Sequence, residues 1–167
     1  MRILKAITTA AMALAGVANA QTMDGHAMDQ SQHQAQVSQR GEEVMPFSLA
    51  ATTHFFQKTE SGGVQRVVTK AAGDAKQAAL IRQHLQDIQA QFRKADFSAP
   101  AHIHGHNMPG LAELAAAPSG NIAVEYREVT DGAELSYQTA DAKLVEALHT
   151  WFDAQLSDHG KDAMPMH

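Results

Sequence analysis

A β-hairpin followed by a helix is predicted twice in this sequence, and this pattern restricts the possible folds more than any other feature. In the first half, a Glu-Ser-Gly-Gly turn at 60–63 separates two β-rich segments, 51–58 and 64–70. A segment with helical periodicity follows, from 74 to 94. Gly-Gly accepts the positive φ angles that tight hairpin turns need, and Asp74 is a suitable N-cap for the helix.

The second half repeats this order. Thr-Asp-Gly at 130–132 separates β-rich segments 122–129 and 134–139, and a second periodic segment runs from 141 to 158, with Asp141 as its N-cap. Either an internal duplication or two independent copies of a common unit explains the pattern. We therefore predict an α+β fold, ββα-loop-ββα, in which two helices cover one face of a four-stranded antiparallel sheet.

The first twenty residues have the three parts of a secretory signal peptide. Arg2 and Lys5 give a basic start, residues 6–17 are apolar, and Ala-Asn-Ala at 18–20 is a small-residue cleavage site. The apolar run is too short to span a bilayer as a helix, and no later stretch of the sequence is apolar enough to do so. Cleavage near Ala20 and a location in the periplasm or outside the cell are therefore predicted.

Composition divides the rest of the chain into three parts. Residues 21–45 are rich in Gln, Met and His and contain few large apolar side chains, so they are predicted to form a disordered leader. Residues 161–167 are predicted to form a flexible tail. Residues 46–160 remain as a single domain, which is long enough to build one hydrophobic core.

The predicted mature chain is acidic and contains no cysteine. Removal of Arg2 and Lys5 leaves 11 Lys and Arg residues against 18 Asp and Glu residues, a formal charge of −7. An acidic surface disfavours nucleic acid and anionic membranes as partners. Zinc–thiolate sites, thiol catalysis and covalently attached haem are excluded because each needs cysteine. The partners that remain are a metal ion, a second copy of the chain, or another periplasmic protein.

Between the two halves, four potential metal ligands recur at every second residue: His102, His104, His106 and Met108. Alternate side chains of an extended chain lie on one face, and Gly105 and Pro109 offer places for the chain to bend. Neutral imidazole binds copper, nickel or zinc, and a thioether adds a preference for cuprous ion. A copper-binding loop is predicted, with zinc or nickel as other candidate ions. The alternative is a surface loop whose histidines serve solubility or hydrogen bonding.

Three further histidines are candidate ligands outside this loop. His84 and His149 lie on the apolar stripes of the two predicted helices, and His54 lies near the start of a predicted strand. A lone histidine on such a stripe is more often a hydrogen-bonded core residue than a ligand, so both interpretations stay open. Asp158, close to His149 and His159 in sequence, is a carboxylate that can orient a metal-bound imidazole.

The two ends of the mature chain repeat the soft-ligand pattern with Met23, His26, Met28, Met164, Met166 and His167. They are interpreted either as weak metal-binding segments or as solvated tails.

The sequence has no nucleophile elbow, P-loop, dinucleotide fingerprint or His-Glu-x-x-His motif, so it gives little support for an enzyme. The predicted function is that of a copper scavenger, buffer or carrier. The alternatives are a metal-free interaction module and a small protein that depends on a metal or on noncovalent haem.

Two segments, 104–111 and 151–159, resemble a family of small exported proteobacterial proteins. The segments 51–54, 62–65 and 81–85 fit that family too, so the resemblance covers about residues 50–160. It implies export and the extent of the domain, but no established activity. Members of the family often carry the name aspartate carbamoyltransferase. That enzyme uses a Ser-Thr-Arg-Thr-Arg phosphate-binding motif that this sequence lacks, so we do not expect its activity here.

Overall fold

The computed structural model describes residues 20–166, with side chains from residue 29 onward. The predicted signal peptide, apart from Ala20, and His167 lie outside this range. Helices in the described part of the chain are α1 (Ala20–Val44), α2 (Ala75–Phe92), α3 (Ser98–His104), α4 (Leu111–Ala116) and α5 (Ala142–His159). Its strands are β1 (Thr52–Thr59), β2 (Gly62–Thr69), β3 (Ala123–Val129), β4 (Gly132–Gln138) and β5 (Ala163–Pro165).

Both hairpins form where the turn residues predict them. β1 pairs with β2 and β3 pairs with β4, each in antiparallel register. Asp131 takes the left-handed conformation at φ 60°, and a Cβ at Gly132 would lie 2.0 Å from the carbonyl oxygen of Val67. Both helix caps are also confirmed, since carboxylate oxygens of Asp74 and Asp141 accept backbone N–H groups of the first turn at 3.1 and 2.9 Å.

The sheet has five strands in the order β3-β4-β2-β1-β5, and the two hairpins join through the antiparallel pair β2–β4. The α+β class is therefore confirmed, but the predicted four-stranded antiparallel sheet is incomplete. Residues 163–165, predicted as part of a flexible tail, form β5 parallel to β1. Backbone hydrogen bonds hold this strand, with Met166 N–H donating to the Phe56 carbonyl at 2.9 Å. Composition cannot predict such backbone pairing.

Residues 20–44 form helix α1 and not the disordered leader that their composition predicts. Val37 is buried in the core, and the side-chain amide of Gln34 donates to the Ser157 carbonyl at 2.7 Å. A mainly polar segment can therefore be ordered, because the helix satisfies its own backbone and a few anchors attach it to α3 and α5. None of the helices in residues 20–166 is long and apolar enough to cross a membrane.

Helices α2 and α5 pack on the same face of the sheet, as predicted. Helix α2 contacts β2, β3 and β4, whereas α5 contacts β1, β2 and β5. Apolar side chains of both helices, among them Leu85 and Phe152, form one core with Val67 and Leu135 of the sheet. Between α2, α5 and the β1–β2 hairpin this core contains a cavity, which α3 and the end of α1 also line.

Candidate metal centre

The segment predicted as an extended loop is helical over 98–104. Pro100 lies in the first turn, where its missing N–H costs no hydrogen bond, and Gly105 ends the helix with φ 94°. Residues two apart in a helix point about 200° apart around its axis. His102 is consequently exposed while His104 is buried.

The four predicted loop ligands therefore do not share a face. Nε2 of His102 lies 3.3 Å from Oε2 of Glu43, an exposed pair that links α3 to α1. His106 is exposed at the surface, whereas Met108 is buried in the hydrophobic core. None of these three lines the cavity that His104 lines.

His149 has the structural role that is common for a histidine on a helix face. Its Nε2 lies 3.0 Å from the carbonyl oxygen of Thr59 and 2.9 Å from that of Gly62. Since both partners are acceptors, Nε2 carries the proton and donates it. His149 thus attaches α5 to the β1–β2 turn and lies outside the cavity.

Replacing His149 with alanine is expected to lower the free energy of unfolding by about 1–2 kcal/mol, because two backbone carbonyls lose their donor. Metal affinity is expected to stay unchanged. Denaturant unfolding and a copper titration measure the two quantities separately. A large loss of copper affinity in a variant that still folds would show that His149 is a metal ligand and contradict this prediction.

Four other histidines line the cavity, each supplied by a different element: His54 of β1, His84 of α2, His104 of α3 and His159 of α5. The rings of His54 and His159 stack with centroids 4.8 Å apart, and the ring of His104 meets that of His159 edge-on at 5.1 Å. The cavity has a volume of about 40 Å³. Its wall is otherwise mainly apolar, and it includes Met45, Trp151 and Gln155.

A carboxylate fixes the orientation of His104. Nδ1 of His104 lies 2.8 Å from Oδ2 of Asp158, and Nε2 of the half-exposed His33 lies 3.1 Å from the other carboxylate oxygen. Burial acts to raise the pKa of Asp158, but hydrogen bonds and charges from His104 and His33 outweigh it and lower that pKa. When the imidazole of His104 is neutral, the ionised Asp158 holds its proton on Nδ1, which leaves the lone pair on Nε2.

Burial keeps the other imidazoles neutral. Removal from water lowers the pKa of His159 to about 4 and the pKa of His54 well below the usual 6.5. The imidazoles of His159, His84 and His104 lower the pKa of His54 further, whereas a hydrogen bond with the backbone of Asp162 acts to raise it. Burial also lowers the pKa of His84. Neutral imidazole is the form that binds a metal ion.

Two side chains of the cavity wall have a buried polar atom without a hydrogen-bond partner. These atoms are Nδ1 of His54 and Nε1 of Trp151. An unpaired buried polar group costs about 1–3 kcal/mol, so native proteins contain few of them. Both residues border the same cavity, so one species bound there, water included, can satisfy both atoms. Oε1 of Gln91 and the hydroxyl of Tyr126, which do not border it, also lack a partner.

The ring spacing fits a single metal ion. Imidazoles that bind one tetrahedral ion at about 2.0–2.1 Å have ring centroids about 5 Å apart, close to the two spacings in this cluster. The rings of His54 and His159 are nearly parallel, at 10°, so one ring must rotate about its Cβ–Cγ bond before both direct a nitrogen to the ion. Among the described side chains, those of residues 29–166, no three His, Asp or Glu groups have the placement of a metal site.

Two residues of the cavity wall, His159 and Met45, are not among the metal ligands predicted from the sequence. His159 continues the apolar stripe of α5 after Leu148, Phe152 and Gln155, so the helical pattern contains a signal for it. Met45 follows the polar segment that composition assigns to a disordered leader. Of the soft ligands at the chain ends, Met164 is exposed on β5, and Met23, His26, Met28 and His167 lie outside the described side chains.

No protein-family model matches this chain, and neither a curated protein nor a solved structure is significantly similar to it. The ligand chemistry of the site is therefore inferred from the donor atoms of its own side chains. The buried imidazole of His159 adjoins those of His54 and His104, a carboxylate orients His104, and Met45 lies on the same wall. Such donors suit a late first-row transition-metal ion.

Proposed function

We propose that this protein is exported to the periplasm and there binds a transition-metal ion, with copper preferred, through His54, His104 and His159. It acts as a scavenger, buffer or carrier of the ion and not as a catalyst. The observation that carries the proposal is the unpartnered Nδ1 of buried His54 beside two further buried imidazoles. The signal sequence and the resemblance to exported proteins support the location.

The preference for copper rests on the donor set. Imidazole nitrogens suit copper, nickel and zinc, and the thioether of Met45 on the cavity wall adds a soft donor that favours cuprous ion. Met45 thus takes the role that the sequence predicts for Met108. As metal ligands these imidazoles and the thioether carry no charge, and the Asp158 carboxylate on His104 contributes one negative charge, so a monovalent ion leaves less unbalanced charge in the site than a divalent ion. His84 is a further imidazole on the same wall.

Two alternative functions, noncovalent haem binding and metal-free interaction with a protein partner, fit the cavity less well. Its volume of about 40 Å³ holds an ion and a few small ligand atoms, but it is far too small for the porphyrin of haem. A metal-free interaction module remains compatible with the fold. It offers no partner, however, for the buried nitrogen of His54.

Trp151 provides the test, because it is the only tryptophan in the chain and it lines the cavity. Addition of cupric ion to the mature protein is expected to quench its fluorescence until one equivalent has bound, since a paramagnetic ion in the cavity lies close to the indole. A chain without residues 21–28 is the matched control for the Met and His residues of the leader, and it should give the same titration. Quenching that disappears with those residues, or no quenching at all, would contradict the proposal.

A further inference from the structure

Trp151 borders this cavity and its buried indole N–H also lacks a hydrogen-bond partner, which a metal ion alone does not supply. Trp151 is 1% exposed, and its ring packs edge-on against Phe92 and Tyr137 at centroid distances of 5.9 Å. Nε1 of an indole is a donor only and does not bind metal ions. An ion held by the histidines therefore gives His54 a partner but leaves Trp151 without one, which points to an additional acceptor in the cavity.

We infer that the metal takes a small exogenous ligand, a monodentate anion such as hydroxide or azide, and that Nε1–H of Trp151 donates a hydrogen bond to it. This inference rests on the proposed function. A single water needs about 10–15 Å³ of such cavity space, so about 40 Å³ accommodates an ion together with a ligand of two or three atoms.

The charge of the site selects an anion. Imidazoles coordinate as neutral ligands, so cupric ion brings two positive charges into mainly apolar surroundings; the carboxylate of Asp158, hydrogen-bonded to His104, balances one of them and an anionic ligand balances the other. Buried Gln155, also on the wall, offers an amide that can donate a second hydrogen bond. The oxidised ion therefore binds the anion more tightly than the cuprous ion does.

The experiment is a titration of the copper(II)-loaded protein with azide, followed by the azide-to-copper charge-transfer band. A matched variant comes from growth on a tryptophan analogue, 3-benzothienylalanine, which replaces the N–H with sulfur and keeps the ring shape. Because the chain has one tryptophan, only position 151 changes. We expect the native protein to bind azide saturably and the analogue protein to bind it about tenfold more weakly, as the loss of one hydrogen bond to an anion predicts. Copper affinity should be nearly equal in the two proteins.

The outcomes separate the two proposals. Failure of the native protein to bind copper overturns both of them. Copper binding without an azide band, or with equal azide affinity in both proteins, overturns the inference alone. A second measurement needs no variant: in zinc-loaded native protein the single indole N–H resonance is expected to move downfield when azide is added, and an unchanged resonance would contradict the hydrogen bond.

Discussion

Replacing His159 with asparagine is expected to lower copper affinity about a hundredfold or more. The ring of His159 contacts both His54 and His104, at centroid distances of 4.8 and 5.1 Å, so its loss removes the imidazole that both pairs share. Loss of a residue that merely orients a ligand costs about 10–100-fold in metal affinity, and loss of the ligand itself should cost at least as much. Competition against a copper chelator of known affinity measures the change.

Asp158 and His106 provide graded controls for this prediction. Asp158→Asn keeps the imidazole of His104 but removes the carboxylate that orients it, so an intermediate loss of about 10–100-fold is expected. His106→Asn changes an exposed histidine that does not line the cavity, so copper affinity should stay as in the native protein. If His106→Asn reduced affinity more than His159→Asn, copper would bind at the predicted loop and not in the cavity.

The candidate site could be predicted in part, because composition and spacing single out histidines without fixing their conformation. His54, His84 and His104 are all among the sequence-predicted ligands, and all line the cavity. The alternation of His102 and His104 predicts neighbours on one face only if the chain is extended. In helix α3 they lie on opposite faces, because residues two apart in a helix point about 200° apart. Pro100 does not reveal this helix in the sequence, because proline in a first turn is as compatible with a helix as with a loop.

The elements of the fold that the sequence predicts correctly depend on local interactions, and those that it misses depend on long-range ones. Turn residues and Asp caps predict both hairpins and helices α2 and α5, because each depends on chemistry within a few residues. Strand β5 and helix α1 depend on partners far away in sequence. Ala163 pairs with His54, and Gln34 bonds to Ser157. No short stretch of sequence contains both members of such a pair.

Acid is expected to destabilise the metal-free protein strongly. Between pH 7.5 and pH 5 an unfolded His159, with a pKa of 6.5, takes up a proton, whereas the folded residue, with a pKa of about 4, does not. The unfolded state therefore binds more protons, and the stability present above pH 6.5 is lost as the pH falls toward 4. For His159 alone the loss over this interval is about 2 kcal/mol, and His54, whose pKa is also lowered, adds to it in the same direction.

Denaturant unfolding at several pH values in the presence of a chelator tests this dependence. His159→Asn is the matched control, because it removes one titrating group and should flatten the slope of unfolding free energy against pH. His102→Asn changes an exposed histidine and should leave the slope nearly as it is. A native protein equally stable at pH 7.5 and pH 5 would show that the buried histidines do not titrate with lowered pKa values.

Anomalous diffraction at the copper absorption edge, from crystals of the copper-loaded mature protein, tests the proposed site most directly. The expected result is one strong anomalous peak within bonding distance, about 2.0 Å, of nitrogens of His54, His104 and His159. The thioether of Met45, the imidazole of His84 or a bound anion supplies the remaining ligand. A peak beside His102 and His106, or at the chain ends, with none in the cavity would contradict the proposed metal centre.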